Sequence, residues 1–227
     1  MRKASDVTKW VAAQNPASLA SKGRLIFRIP LGIILLGVYL DQSSPLTRTS
    51  VCCVILPLCK PVDFVYYENG LSLGFSGHYS FYGGDLTNDE NIRKLGGIVL
   101  DQMLPAWDRL SDVEQCIEYL TSVPLYKSKE DGAVIESLVC LSAYQRTYDR
   151  CQRFIQDWRE FLLTETGERV IASNDFSFQA RKIVVETVEK CILSKDYELL
   201  SEHLNKWYLK SVTKLGLSQF ARVKGGH

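Results

Sequence analysis

Histidine, methionine and long apolar runs are all scarce in this 227-residue chain, which has three histidines and two methionines. Its most lipid-like stretch, Ile29-Pro-Leu-Gly-Ile-Ile-Leu-Leu-Gly-Val-Tyr-Leu40, is twelve residues long and contains a proline. A spanning helix needs roughly 20 apolar residues, so no membrane segment is expected. The N-terminal Met-Arg-Lys-Ala-Ser-Asp carries charge and has no apolar core region behind it, which predicts no secretory leader and a cytoplasmic location. With so few imidazoles, bases for nucleophilic catalysis are limited to His78 in a loop, His203 on the polar side of a helix, and His227 at the last position. Neither G-x-S-x-G nor His-Glu-x-x-His is present. G-x-G-x-x-G and the phosphate-binding loop are also missing; Tyr82-Gly-Gly-Asp85 and Leu95-Gly-Gly-Ile98 are isolated glycine pairs. Asp63 and Glu68 are followed by no lysine in the E-x-K arrangement a metal-dependent nuclease uses. No catalytic residue and no cofactor is therefore assigned.

An excess of one charge is missing as well. Residues 1–127 carry 12 basic and 12 acidic side chains, and residues 128–227 carry 15 and 14, for a net charge of +1. A protein that neutralises phosphates needs a Lys/Arg excess on some surface, so nucleic acid is not an expected partner.

Cysteine is present, seven times, with three copies inside Val51-Cys-Cys-Val-Ile-Leu-Pro-Leu-Cys59. No C-x-x-C knuckle occurs, and adjacent cysteines on a strand point to opposite faces. Only one of Cys52 and Cys53 can therefore join Cys59. His78 offers a third ligand and nothing nominates a fourth, so no metal is expected and the thiols are read as core residues. An odd number of scattered cysteines fits a reducing compartment.

The apolar fraction of 46% and charged fraction of 23% are those of a folded globular chain. Residues 6–13 predict a short helix stopped at Asn15-Pro16. Residues 24–29, 32–40 and 47–56 then read as strands, the second buried on both faces. Asn69-Gly70, between residues 63–67 and 71–75, is a hairpin signal. From Gly84 the apolar period becomes helical. Thr87-Asn-Asp-Glu90 and Ser111-Asp-Val-Glu114 have capping-box spacing, and Pro105 is expected to end the first of these helices. A polar interruption at 127–132 suggests two domains, 1–127 and 128–227, with everything beyond it helical. The expected fold class is α+β: an antiparallel sheet with packed helices, followed by an all-α C-terminal helical-hairpin bundle. Leu141-Ser-Ala-Tyr-Gln-Arg-Thr-Tyr through Trp158 echoes Leu193-Ser-Lys-Asp-Tyr through Trp207. The spacing from Leu-Ser to Trp differs by three residues, which favours chance similarity between amphipathic helices over a repeat.

The segment that stands out is Phe75-Ser-Gly-His-Tyr-Ser-Phe-Tyr-Gly-Gly-Asp85, four aromatics and a histidine among small residues. Such composition makes a recognition surface at low entropic cost, which nominates His78, Tyr79, Phe81, Tyr82 and Asp85 as partner-binding residues. Arg146, Arg150 and Arg153 are read as a solvated helix face balanced by Asp149 and Asp157.

Arg28-Ile-Pro-Leu-Gly, Pro57-Leu-Cys-Lys-Pro and Asn69-Gly-Leu-Ser-Leu-Gly74 resemble segments of a group of small uncharacterised bacterial proteins. In those, a strand-rich half with a Pro-Leu-x-x-Pro element precedes a helical half. The resemblance implies a toxin-immunity or accessory role and carries over no catalytic residue. The functional expectation is a non-enzymatic protein-interaction protein, of the immunity type that binds and neutralises a toxin. Two alternatives stand beside it: a hydrolase or transferase site near His78 and Asp85, and a helical scaffold that binds a peptide along residues 133–216.

Overall fold

Alternating and continuous apolar segments pair as strands where the sequence predicts them, in a computed structural model that describes residues 3–41, 50–62, 85–129, 131–173 and 176–221. The predicted Asn69-Gly70 hairpin lies outside the described residues. The chain divides into two units, one of Met1–Leu56, Val65–Asp112 and Gln219–His227, the other of Pro57–Phe64 and Val113–Ser218.

In the first unit, helix α1 (Ala4–Ala13) buries Val7 and Val11 and precedes a four-stranded sheet of order β1-β2-β3-β4. Its strands are β1 (Leu19–Lys22), β2 (Leu25–Arg28), β3 (Ile34–Asp41) and β4 (Ser50–Pro57). β1 was not anticipated; it is four residues long and joins β2 through a turn in which Gly23 takes a φ of 58°, which only glycine adopts freely. Leu35, Leu36, Val38 and Leu40 of β3 are all buried, as expected of a strand covered on both faces. The antiparallel register sets Phe27 against Gly37, where a Cβ would stand 2.4 Å from the Ile26 carbonyl oxygen. A side chain there has nowhere to go. The C-terminal turn returns to this unit: the Leu31 amide donates to the Phe220 carbonyl at 3.0 Å, and the Phe220 ring meets Phe27 edge-on.

Pro105 does not end its helix. α2 (Asp89–Gly97) runs into a π-helical segment, Ile98–Met103, and on into α3 (Leu104–Leu110). The Leu104 amide bonds to Val99 O across the wider turn, so Pro105 falls in the first turn of a new segment, where its missing N–H costs little. The predicted caps are also displaced. Asn88, not Thr87, caps α2 by accepting from the Glu90 amide, and Ser111 donates its hydroxyl to Asp108 O at the end of α3. Short polar side chains compete for the same local donors, and spacing alone does not say which one wins.

The second unit is helical: α4 (Val113–Ser122), α5 (Pro124–Lys127), α6 (Gly132–Tyr144), α7 (Tyr148–Leu162), α8 (Glu165–Ser173), α9 (Phe176–Leu193) and α10 (Tyr197–Lys214). Every residue of α6 from Gly132 to Ala143 is buried, and α4, α7, α9 and α10 pack around it. Asp131 caps it, accepting from the Ala133 amide at 2.8 Å. The α6–α7 and α9–α10 turns are built alike. Arg146 and Lys195 both take left-handed φ, 62° and 57°. The amides of Arg146 and Thr147 bond to Ala143 O and Ser142 O in one hairpin, and those of Lys195 and Asp196 bond to Ile192 O and Cys191 O in the same pattern in the other. In this register Tyr148 matches Tyr197 and Trp158 matches Trp207, both pairs 49 residues apart.

Candidate functional site

Of the residues nominated from sequence, His78, Tyr79, Phe81 and Tyr82 lie outside the described residues, and Asp85 lies within them. The Asp85 carboxylate accepts from the Thr87 amide at 2.9 Å and from the Thr87 hydroxyl at 2.5 Å, and these hydrogen bonds hold it below the usual carboxylate range. Its carbonyl accepts from the Asn91 side chain at 3.1 Å. In this geometry Asp85 organises the approach to α2.

The second unit contains a buried ionic centre that patterning did not reveal. Lys60, in the Pro-Leu-Cys-Lys-Pro segment, donates to Glu136 of α6 at 2.6 Å, and the two side chains are only 5% and 4% exposed. Arg181 of α9 stands 4.0 Å from the same carboxylate. The Ser211 hydroxyl of α10 donates to Lys60 O at 2.7 Å and accepts from the Val62 amide at 2.9 Å. Segment 60–62 is thereby fixed to α6 by its charge and to α10 by its backbone. Beside it lie Cys59 and Cys140. Burial pushes the Cys59 thiol up to about 12, and burial first, then the neighbouring Cys59 and Glu136, raises that of Cys140. Such thiols are poor nucleophiles at neutral pH. Six of the seven cysteines are buried, as the core reading expects, and Cys52 is half-buried. Among the described residues no three His, Cys, Asp or Glu side chains stand together in a way that would hold a metal ion.

A cavity of about 570 Å³ opens between α4, α5 and α7. Ile117 and Phe154 form its apolar floor, with Tyr126 beside them. The arginine face is organised differently from the expectation. Arg150 reaches both oxygens of Glu114 at 2.7 Å, 36 residues away in sequence, and that hydrogen bond raises its pKa. Asp157 is bound by Lys129 and by the Tyr126 hydroxyl, and Arg146 sits in the turn before α7. Asp149 and Asp157 are thus not the balancing partners of this face. Burial, then the hydrogen bond to Asp157, pushes the Tyr126 phenol up. Arg153 and Glu118 line the same cavity, and neither charged group has a hydrogen bond or ion pair among the described residues.

The outer surface of this unit departs from ordinary amphipathic design. Eight of the nine large apolar side chains exposed among the described residues lie between Leu163 and Leu209. α9 buries Phe178, Val184, Val185, Val188 and Ile192, yet Phe176 is 85% exposed and Ile183 61%. Seven residues apart, Phe176 and Ile183 share one face. Leu209 of α10, which packs on α9, is 64% exposed.

No described helix is long and apolar enough to cross a membrane. Comparison with family models, curated proteins and solved structures gives no match for this chain.

Proposed function

We propose that this chain is a non-enzymatic interaction protein that binds another protein through the α8–α10 surface of its helical unit, in the manner of an immunity protein that neutralises a toxin. The observation that carries this reading is the exposure of Phe176 and Ile183 on the side of α9 opposite the one it buries. α9 is covered on one side only by its own unit, and Phe176 and Ile183 remain open. Scattered exposed leucines are normal on a protein surface, but eight large apolar side chains within one segment of fewer than 50 residues are a concentration that partner surfaces explain. Of the sequence-based alternatives, the helical scaffold over residues 133–216 is favoured by the matched α6–α7 and α9–α10 turns, which stack two similar hairpins side by side.

The test is photo-crosslinking from Ile183 in the native host, with a crosslinker at the exposed polar position Gln152 as control, followed by affinity measurement with the purified partner. Phe176→Ser with Ile183→Ser is expected to weaken binding by about 100-fold or more, because central apolar anchors dominate interface energetics. Tyr79→Ala with Phe81→Ala and Tyr82→Ala serves as the competing arm. If the loop variant loses affinity and the α9 variant does not, the α8–α10 surface is not the binding face. If the purified partner is a toxin, co-expression with the wild-type chain restores growth and co-expression with the α9 variant does not.

A further inference from the structure

We propose that the α4–α5–α7 cavity is a binding site for a small amphiphilic aminocarboxylate, a hydrophobic amino acid or a short peptide, held by Arg153 at its carboxylate and Glu118 at its ammonium. The cavity is separate from the exposed α9 face and does not depend on it.

Its volume of about 570 Å³ lies within the range of small-molecule sites. Its charges sort into two kinds. Glu114 is engaged by Arg150 through both oxygens, and Asp157 by Lys129 and Tyr126, so these groups are committed to holding the walls. Arg153 and Glu118 remain, one cation and one anion lining the cavity; their charges act on Tyr126 and Arg150, but neither charged group makes a hydrogen bond or ion pair among the described residues. A guanidinium accepts a carboxylate across two parallel N–H donors, and a carboxylate accepts an ammonium. The apolar lining of the same cavity is Ile117 and Phe154, both buried, with the Tyr126 ring edge-on to Phe154 at 6.1 Å. A ligand that fits has an apolar body and opposite charges at its ends. A phosphate ester fits worse, since its two negative charges would share one free cation and face the Glu118, Glu114 and Asp157 carboxylates.

The experiment is calorimetric titration of the full chain with L-phenylalanine and with L-phenylalanyl-L-phenylalanine, each also as its N-acetyl and C-amide derivative. Saturable binding at one site is expected, and blocking either end is expected to weaken it about tenfold, the loss of one charge-assisted contact. Tighter binding of the dipeptide identifies a peptide ligand; tighter binding of phenylalanine identifies an amino acid. R153Q is expected to weaken the free-carboxylate ligand about tenfold and to leave the C-amide unchanged, and E118Q does the same for the amine end. Both side chains are exposed, so the variants are expected to keep the wild-type melting temperature, checked in parallel. Absence of saturable binding by either probe at millimolar concentration overturns the assignment. So does binding that R153Q and E118Q leave unchanged.

Discussion

The rings of Tyr148 and Tyr197 lie face to face, with centroids 4.1 Å apart and planes 7° from parallel. Each tyrosine is the first residue of the second helix in its hairpin, so the stack joins equivalent positions of α7 and α10. Aromatic pairs contribute about 0.5–1.5 kcal/mol beyond the area they bury. A double-mutant cycle with Tyr148→Ala and Tyr197→Ala, read by urea unfolding, is expected to return a coupling energy of about 1 kcal/mol. Strictly additive losses would mean that the stack contributes nothing to holding the hairpins together.

The Lys60–Glu136 pair leads to a larger effect. Removing one member of a buried pair leaves the other charge without compensation, at a cost of about 3–5 kcal/mol. Lys60→Met is expected to fall toward the low end, because Arg181 stands 4.0 Å from Glu136 and offsets part of the loss. Lys60→Met combined with Glu136→Leu is expected to recover most of it, since a well-packed apolar pair replaces a buried ionic one at little cost. Arg181, with its side chain 17% exposed, retains some access to water in that variant. Chemical denaturation checks both. A double variant less stable than Lys60→Met alone would assign the pair a role beyond mutual neutralisation.

How much of this was legible in the sequence depends on the range of the forces involved. β2, β3 and β4 were readable because their apolar runs are local, and so was the change to helical period near residue 84. The Lys60–Glu136 pair was not, because its members are 76 residues apart and a lysine between prolines looks like a turn. Arg150 failed for the same reason: its bidentate partner Glu114 is on another helix, while Asp149 and Asp157 were merely nearby in sequence. The hairpin equivalence was half visible. The sequence echo starts at Leu141 and Leu193, but the turns align at Tyr148 and Tyr197, a register set by backbone conformation at Arg146 and Lys195. Within the nominated loop, Asp85 proved to be hydrogen-bonded to Thr87, two residues on, a competition that composition does not resolve.

Buried thiols give a third prediction. With the Cys59 and Cys151 thiols pushed up to about 12 by burial, the thiolate fraction at pH 8 is small and access is closed. Iodoacetamide at pH 8 is expected to label Cys52 first under native conditions, and to reach Cys59, Cys140 and Cys151 only as the protein opens. Mass spectrometry of timed digests checks the order, and all seven should react promptly in guanidinium. Early labelling of Cys59 would show that the 57–62 segment leaves the helical unit far more readily than its buried ion pair implies.

Glu160 gives the pH-dependent case. The hydrogen bond from Lys129, at 2.9 Å, and the charge of that ammonium hold the Glu160 carboxyl below the usual glutamate range. A depressed folded-state pKa means that the contribution to stability is fully present above the unfolded value and is lost as pH falls through the folded one. Carboxyl-carbon NMR is therefore expected to show Glu160 titrating at lower pH than an exposed, unpaired glutamate, and Lys129→Met is expected to move its midpoint back up. The shift should shrink in high salt, because the carboxylate is open to solvent and the ammonium attraction is screened. The same substitution also removes the cation from Asp157, whose remaining described partner is the Tyr126 hydroxyl. The Tyr126 ring resonances are then expected to shift together with the Glu160 midpoint. A Glu160 midpoint unmoved by Lys129→Met would assign the depression to the hydrogen bond from the Gln156 side chain rather than to the ion pair.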